Sequence, residues 1–250
     1  MIIKDYDKKK YPFTDIISNL FEINNLENVH QIYKEVSEGE KLDQKNEADT
    51  IFHKKYYDKL RGGWSELTDV FETFIREEIS KTIKGPFLYQ TMPSFRVQVP
   101  KQKAVSNWHY DADYKHGHPD WEINIQIALS EAKDTSATWV ESIPGLGDYK
   151  PINLKDNQYC IFNGNRCVHG NFFNESGKSR VSYDFRIIPC FIYDTNGTAI
   201  FRTYDGEELI NYQEEKNSSK FVGKLNSESS FYGKKWEPNH YYSFFDPRKK

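Results

Sequence analysis

Cysteine is scarce in this chain of 250 residues, with only Cys160, Cys167 and Cys190 present. No C-x-x-C pair occurs, which excludes a zinc ribbon and a disulfide scaffold. No uncharged apolar run approaches the length needed to span a bilayer, so a membrane role is not expected. The first thirteen residues are Lys-rich and lack the apolar core of a secretory signal. A reducing cytoplasm is the simplest compartment. Positive charge is not in excess either: the net charge is −3 and the pI near 6.2, which argues against nucleic acid as a partner. The basic runs Lys8 to Lys10 and Arg248 to Lys250 read as solvated tails.

Aromatic residues, by contrast, are plentiful. Mean hydropathy is only −0.80, yet 17 Phe, 17 Tyr and 5 Trp supply large buried areas. A chain of this length buries roughly three quarters of the surface its unfolded form exposes, so a substantial core is expected. We expect one domain in three parts: helices over 1–86, a strand-rich core over 87–190 and an extension over 191–250.

The first part reads mainly as helix. Thr14 is placed to cap a segment carrying Ile16, Ile17, Leu20 and Phe21 on one face, and Val29, Ile32, Tyr33 and Val36 suggest a second. Residues 39–50 read as a polar loop. From Ser65 to about Lys84, Leu67, Val70, Phe71, Phe74, Ile75, Ile79 and Ile83 keep a helical period, with Ser65 as N-cap and Gly85-Pro86 as the stop. That apolar stripe should pack on a sheet.

Beyond Phe87 the period becomes two. Strands are expected at 95–99, 121–129, 138–141, 158–162 and 180–188, separated by turn residues, which is the pattern of a β sandwich or barrel. Past Pro189, two short strands flank the turn Asn196-Gly197, residues 213–230 read as loosely held, and aromatics between Phe231 and Phe245 should dock the terminus. Alternation puts Arg180, Ser182, Asp184 and Arg186 on one face of the last core strand and Val181, Tyr183, Phe185 and Ile187 on the other. Glu122, Asn124 and Gln126 form a matching polar face, as do Arg96 and Gln98. A single polar face is ordinary on a solvated strand; three of them suggest the lining of a pocket for a charged ligand.

His109-x-Asp111 can add metal ligands to that pocket, because side chains two apart on an extended strand share a face. A distant His169 would complete two imidazoles and a carboxylate, the set associated with non-heme Fe(II). Eleven residues on, Arg180-x-Ser182 offers a guanidinium fork and a hydroxyl for a carboxylate. A rival set lies close by. His116-x-His118-x3-Glu122 has the spacing of the first cupin metal motif, with His169 as a fourth ligand, although that motif's glycines are replaced by Tyr110 and Leu129. A second rival is a jelly-roll module that binds sugars or proteins without catalysis.

The order H-x-D, H, R-x-S resembles the Fe(II)/2-oxoglutarate-dependent dioxygenases. Glu122-Ile-Asn124, Trp139-Val-Glu141-Ser, Gly147-Asp148, Phe162 to Asn165, Cys167 to Asn171 and Arg180 to Arg186 resemble, more narrowly, the StrG-like oxygenases of streptomycin biosynthesis. The resemblance covers about residues 93 to 190. It implies a double-stranded β-helix, or jelly roll, in a mainly β (α+β) chain. It implies that His109, Asp111 and His169 hold Fe(II) and that Arg180 and Ser182, with Asn124, bind 2-oxoglutarate. Dioxygen would be the second cosubstrate, and oxidation of a C–H bond would release succinate and carbon dioxide. Asp111, where a halogenase needs a vacant position for halide, implies an oxygenase. Arg96, Gln98, Glu141 and Arg186 are candidate contacts for a small polar metabolite.

Overall fold

The computed structural model describes residues 1–33, 50–103, 107–113, 118 and 122–189, and the strand backbone at 191–195, 198–202, 208–212, 222–223 and 242–245. Two antiparallel sheets make the core. The larger runs in the order β1 (Ile2–Asp5), β7 (Gln158–Phe162), β4 (Ile123–Ala128), β9 (Arg180–Pro189), β2 (Phe87–Gln90), β14 (Tyr242–Phe245), β13 (Val222–Gly223), with β3 (Ser94–Gln98) also paired to β9. The smaller runs β6 (Lys150–Ile152), β5 (Thr138–Val140), β8 (His169–Asn171). A third sheet, β10 (Phe191–Thr195), β11 (Thr198–Arg202), β12 (Glu208–Tyr212), lies in the extension. The expected hairpin is present, with Thr195 opposite Thr198, and its turn lies outside the described residues.

β9 organises the larger sheet because its alternation is the strictest in the chain. Phe185 meets Phe71 edge to face at 5.0 Å, and Tyr183 packs on Phe13, Tyr56 and Phe95. These partners come from helices α1 (Phe13–Phe21), α2 (Ile51–Arg61) and α3 (Ser65–Phe74) and from β3. The apolar stripe of α3 therefore does cover a sheet. Phe74 sits at its centre, with edge contacts to Tyr11, Phe13 and Tyr159, each adding about 0.5–1.5 kcal/mol beyond area burial. A π turn at Ile75–Ile79 continues α3 and keeps both Ile75 and Ile79 inside.

Several local expectations are corrected. Thr14 lies inside α1 and donates its hydroxyl to the Leu129 carbonyl, so tertiary contact and not capping claims it; Pro12 stands at the cap. Trp64, not Ser65, is the cap residue of α3. The second segment is a short 3-10 helix, Leu26–Gln31, and its Val36 lies outside the described residues, as does most of the 39–50 loop. Strand β1 and helix α2 were not anticipated. β1 is a four-residue edge strand with its side chains mostly exposed, so no apolar alternation announces it. The C-terminus does dock: β14 pairs with β2, and Phe245 meets Phe87 at 5.2 Å. The other aromatics of that stretch lie outside the described side chains, as does nearly all of 213–230. No helix among the described residues is long and apolar enough to cross a membrane.

His53 on α2 is 1% exposed, and its Nδ1 bonds the hydroxyl of the capping residue Thr50. Burial pushes the imidazole down from 6.5 to about 4, outweighing the Phe95 backbone and Asp184. Between those values the unfolded chain takes up a proton that the folded one refuses, so stability present above pH 6.5 falls as pH drops toward 4. In His53→Gln that acid loss should be shallower by on the order of 3 kcal/mol, read from denaturant midpoints across the window. An identical slope would show that His53 does not drive it.

Candidate metal centre

The pocket lies between the two sheets. Register sets opposite one another Asn124 and Arg186, and Gln126 and Asp184, on β4 and β9, and Gln98 and Arg180 on β3 and β9, which gathers the three polar faces. The smaller sheet closes the other side with Thr138, His169 and Asn171. The cavity volume open to water is about 70 Å³, and the pocket has a mouth to solvent.

His109 and Asp111 do not lie on a regular strand, as the spacing suggested. His109 forms a single antiparallel bridge with His169, its N–H donating to the His169 carbonyl at 3.0 Å and its carbonyl accepting from the His169 N–H at 2.8 Å. Asp111 then enters a turn, and its N–H donates to the Gly164 carbonyl at 2.9 Å. Trp108, before the first ligand, lies over Gly170, after the last; a Cβ there would come within 2.7 Å of the indole.

The bridge brings the ligand atoms together. Asp111 Oδ1 is 3.3 Å from His109 Nε2 and 3.6 Å from His169 Nε2, and the three ligand atoms lie within 4.8 Å of one another. His109 Nδ1 donates to the Asn107 carbonyl at 2.6 Å and His169 Nδ1 to the Cys167 carbonyl at 3.2 Å. A carbonyl can only accept, so each Nδ1 carries a proton, and in a neutral ring it is Nε2 that offers the lone pair. Burial pushes His169 down to about 4, more than Asp111 raises it, so the ring is neutral at pH 7. Burial alone would raise the Asp111 carboxyl, but Arg186 above all, with the histidines, holds it well below the usual range. Its Oδ2 accepts from Asn124 Nδ2 at 2.7 Å and Arg186 Nε at 2.8 Å, whereas the buried Oδ1 accepts no hydrogen bond. An ionised, unsatisfied oxygen facing two imidazole lone pairs is a donor set suited to a divalent cation, and the cluster can hold one.

The other expected residues divide. Arg180 is buried in the pocket wall, with Nη1 donating to Ser182 Oγ at 3.1 Å and Nε without a partner. Burial, then Arg96, pushes its guanidinium down to about 10. Gln126 links Ser182 to Thr138 at 3.4 and 3.2 Å, so Gln126 and Thr138 join this group unanticipated. Gln126 was legible two positions from Asn124 on the same face; Thr138, on another sheet, was not. Asn124 lines the pocket but spends its amide nitrogen on Asp111. Arg96 lines it too, in a two-point ion pair with Asp184 at 2.7 and 3.1 Å.

Three expected substrate contacts have other employment. Arg186 grips Asp111. Gln98 is fully buried and donates to the Phe172 carbonyl at 2.8 Å. Glu141 accepts from the N–H groups of Val168, Gly147 and Gly145, of which Val168 does most to hold its carboxyl low, so it ties the loop after β5 to the approach to His169. Among the described residues the rival cupin set is not brought together. Glu122 is paired with His118 Nδ1 at 2.8 Å and lies 3.6 Å from Arg186 Nε, and its group excludes His169 among the described residues. His116 lies outside them.

No family model matches the chain. StrG, the streptomycin biosynthesis protein of Streptomyces griseus, is a homologue, 25% identical over 191 residues that span 76% of this chain and 86% of StrG. Solved structures with similarity include the non-heme monooxygenase ThoJ, at 12% identity and a TM-score of 0.40 over 85% of this chain and 83% of that one. Another is SnoK, an alpha-ketoglutarate-dependent carbocyclase of nogalamycin biosynthesis, at 13% and 0.40 over 79% and 78%. Scores this low establish no shared chemistry.

A Cβ on Gly164 would lie 2.8–2.9 Å from the Asn124 carboxamide, too close to stand. Gly164→Ala should therefore push Asn124 off Asp111 and weaken Mn(II) binding by about tenfold, measured by calorimetry. Wild-type affinity in a folded variant would show that the Asn124 contact is dispensable.

Proposed function

We propose that this protein is an Fe(II)- and 2-oxoglutarate-dependent oxygenase built on a double-stranded β-helix. Two facing antiparallel sheets with a polar pocket between them support the fold, and kinship with StrG agrees with the resemblance carried by residues 93 to 190. The observation that carries the reading is Arg180. It is 3% exposed and makes no ion pair among the described residues. A buried, uncompensated cation is destabilising by several kcal/mol. It calls for an anion from outside, in the pocket that His109 and His169 also line.

2-Oxoglutarate meets both demands. Its far carboxylate would take the Arg180 fork and the Ser182 hydroxyl, with Gln126 and Thr138 holding that hydroxyl in place. Its keto-acid end would reach the metal. Bound there, iron supplies oxidative decarboxylation of the keto acid by dioxygen, coupled to oxidation of a C–H bond. The protein's own part is positional. In their neutral forms His109 and His169 would offer Nε2 lone pairs and Asp111 one ionised oxygen, a set that would leave room on the metal for the cosubstrate and dioxygen. The partner is a small polar metabolite, for which the exposed edge of the Arg96–Asp184 pair, about one-fifth accessible, offers charges of both signs.

Anaerobic addition of Fe(II) and then 2-oxoglutarate should give the visible charge-transfer band of a chelated keto acid. The band should vanish in His109→Ala and Asp111→Ala; its absence from the wild type, or survival in those variants, refutes the assignment. Arg180→Ala should raise the 2-oxoglutarate concentration needed for the band by a factor corresponding to on the order of 2–4 kcal/mol. An unchanged requirement would move the carboxylate site to Arg96. Succinate release over a panel of polar metabolites, with product masses, would identify substrate and outcome.

A further inference from the structure

Arg186 stands where a substrate contact was expected, yet its charge is spent inward. Its Nε lies 2.8 Å from Asp111 Oδ2 and 3.6 Å from Glu122 Oε2. Glu122 Oε2 in turn meets His118 Nδ1 at 2.8 Å, and the His118 N–H returns to the Asp111 carbonyl at 3.1 Å. The contacts link four side chains in series, none of them more than 8% exposed at the side chain, and the main chains of His118 and Asp111 close the ring. Ring and metal ligand share one residue, Asp111.

Asp111, His118 and Glu122 would by themselves make a second cluster able to hold a cation, since their ligand atoms also lie within 4.8 Å of one another. The guanidinium of Arg186 already supplies positive charge to two of its three members. We propose that Arg186, backed by Glu122 and His118, is a positioning unit with two effects. It confines Asp111 to one ligand oxygen, and it keeps a second metal ion out of the adjoining cluster. The first effect follows from hydrogen-bond capacity: Asn124 and Arg186 both aim at Oδ2, which leaves Oδ1 alone for the metal. With Oδ2 released, a two-point carboxylate would take a fourth coordination position. Two would remain, too few for a chelating keto acid and dioxygen together. This inference rests on the reading of His109, Asp111 and His169 as metal ligands, and it assigns Arg186 to the centre's geometry instead of to substrate.

The test is Co(II) titration of the full chain, without iron, 2-oxoglutarate or turnover, following both affinity and the d–d absorption of the bound ion. The wild type should take one equivalent. Arg186→Met should bind the first ion at least tenfold more weakly with an altered spectrum, and should take a second equivalent. Glu122→Gln keeps the volume and removes one charge from the ring; it should change the spectrum in the same direction, acting through Arg186. It also serves if Arg186→Met does not fold. Wild-type spectrum, affinity and stoichiometry in the folded variants would overturn the positioning unit and leave the metal centre standing. Failure of the wild type to bind Co(II) would overturn the metal reading itself, and this inference with it.

Discussion

One carboxylate oxygen organises the centre. Asp111 Oδ2 is held by the Asn124 amide and the Arg186 guanidinium, and that leaves Oδ1 ionised, buried and unsatisfied between two imidazole nitrogens. Each support is fixed elsewhere. Asn124 and Arg186 are direct neighbours across β4 and β9, so the register of two strands decides whether both donors reach one oxygen. Gly164 receives the Asp111 N–H and, lacking a Cβ, makes room for the Asn124 side chain. The bridge between His109 and His169 brings the two imidazoles to a ring-centre distance of 4.5 Å. Displacing any of these would move a ligand without touching the metal position.

The larger sheet separates two kinds of burial. On its helix side, aromatic side chains from α1, α2 and α3 interlock with Tyr183 and Phe185, and the stabilisation is non-directional burial supplemented by ring geometry. On its pocket side the same strands carry charges that would be costly to bury singly. Asp184 illustrates how this is resolved: burial raises its carboxyl, but Arg96 and then Arg186 bring it below its ordinary range. Compensation of this kind reaches Asp111 as well as Asp184. Among the described residues Arg180 has no such ion pair, and it is the proposed site of an anionic ligand.

Alternation and spacing revealed much of this in advance. The strict period of two from Arg180 to Ile188 named the strand, its apolar face and its polar face, because strand side chains must alternate whatever the surroundings. Sequence order singled out His109, Asp111, His169, Arg180 and Ser182, and the structure gathers the first three into one cluster, puts Arg180 in the wall of the pocket that the two histidines line and buries Ser182 against it. The local signals for caps failed where tertiary contacts outbid them, as Thr14 shows by donating across the chain to Leu129. Strand β1 escaped notice because an edge strand with little buried surface needs no apolar pattern.

What the sequence by itself determined, then, was which residues face the pocket and in what chemical company. Only the tertiary structure decided their employment. Arg96 and Arg186 occupy like positions on polar faces, yet one pairs with Asp184 at the pocket's edge and the other with Asp111, while Arg180 makes no ion pair with a carboxylate among the described residues. Glu122 and His118, which by spacing form half of a rival metal site, instead close a ring behind Arg186. A strand's period says which way a side chain points; what it meets there depends on segments sixty or more residues away, whose approach is set by register and packing.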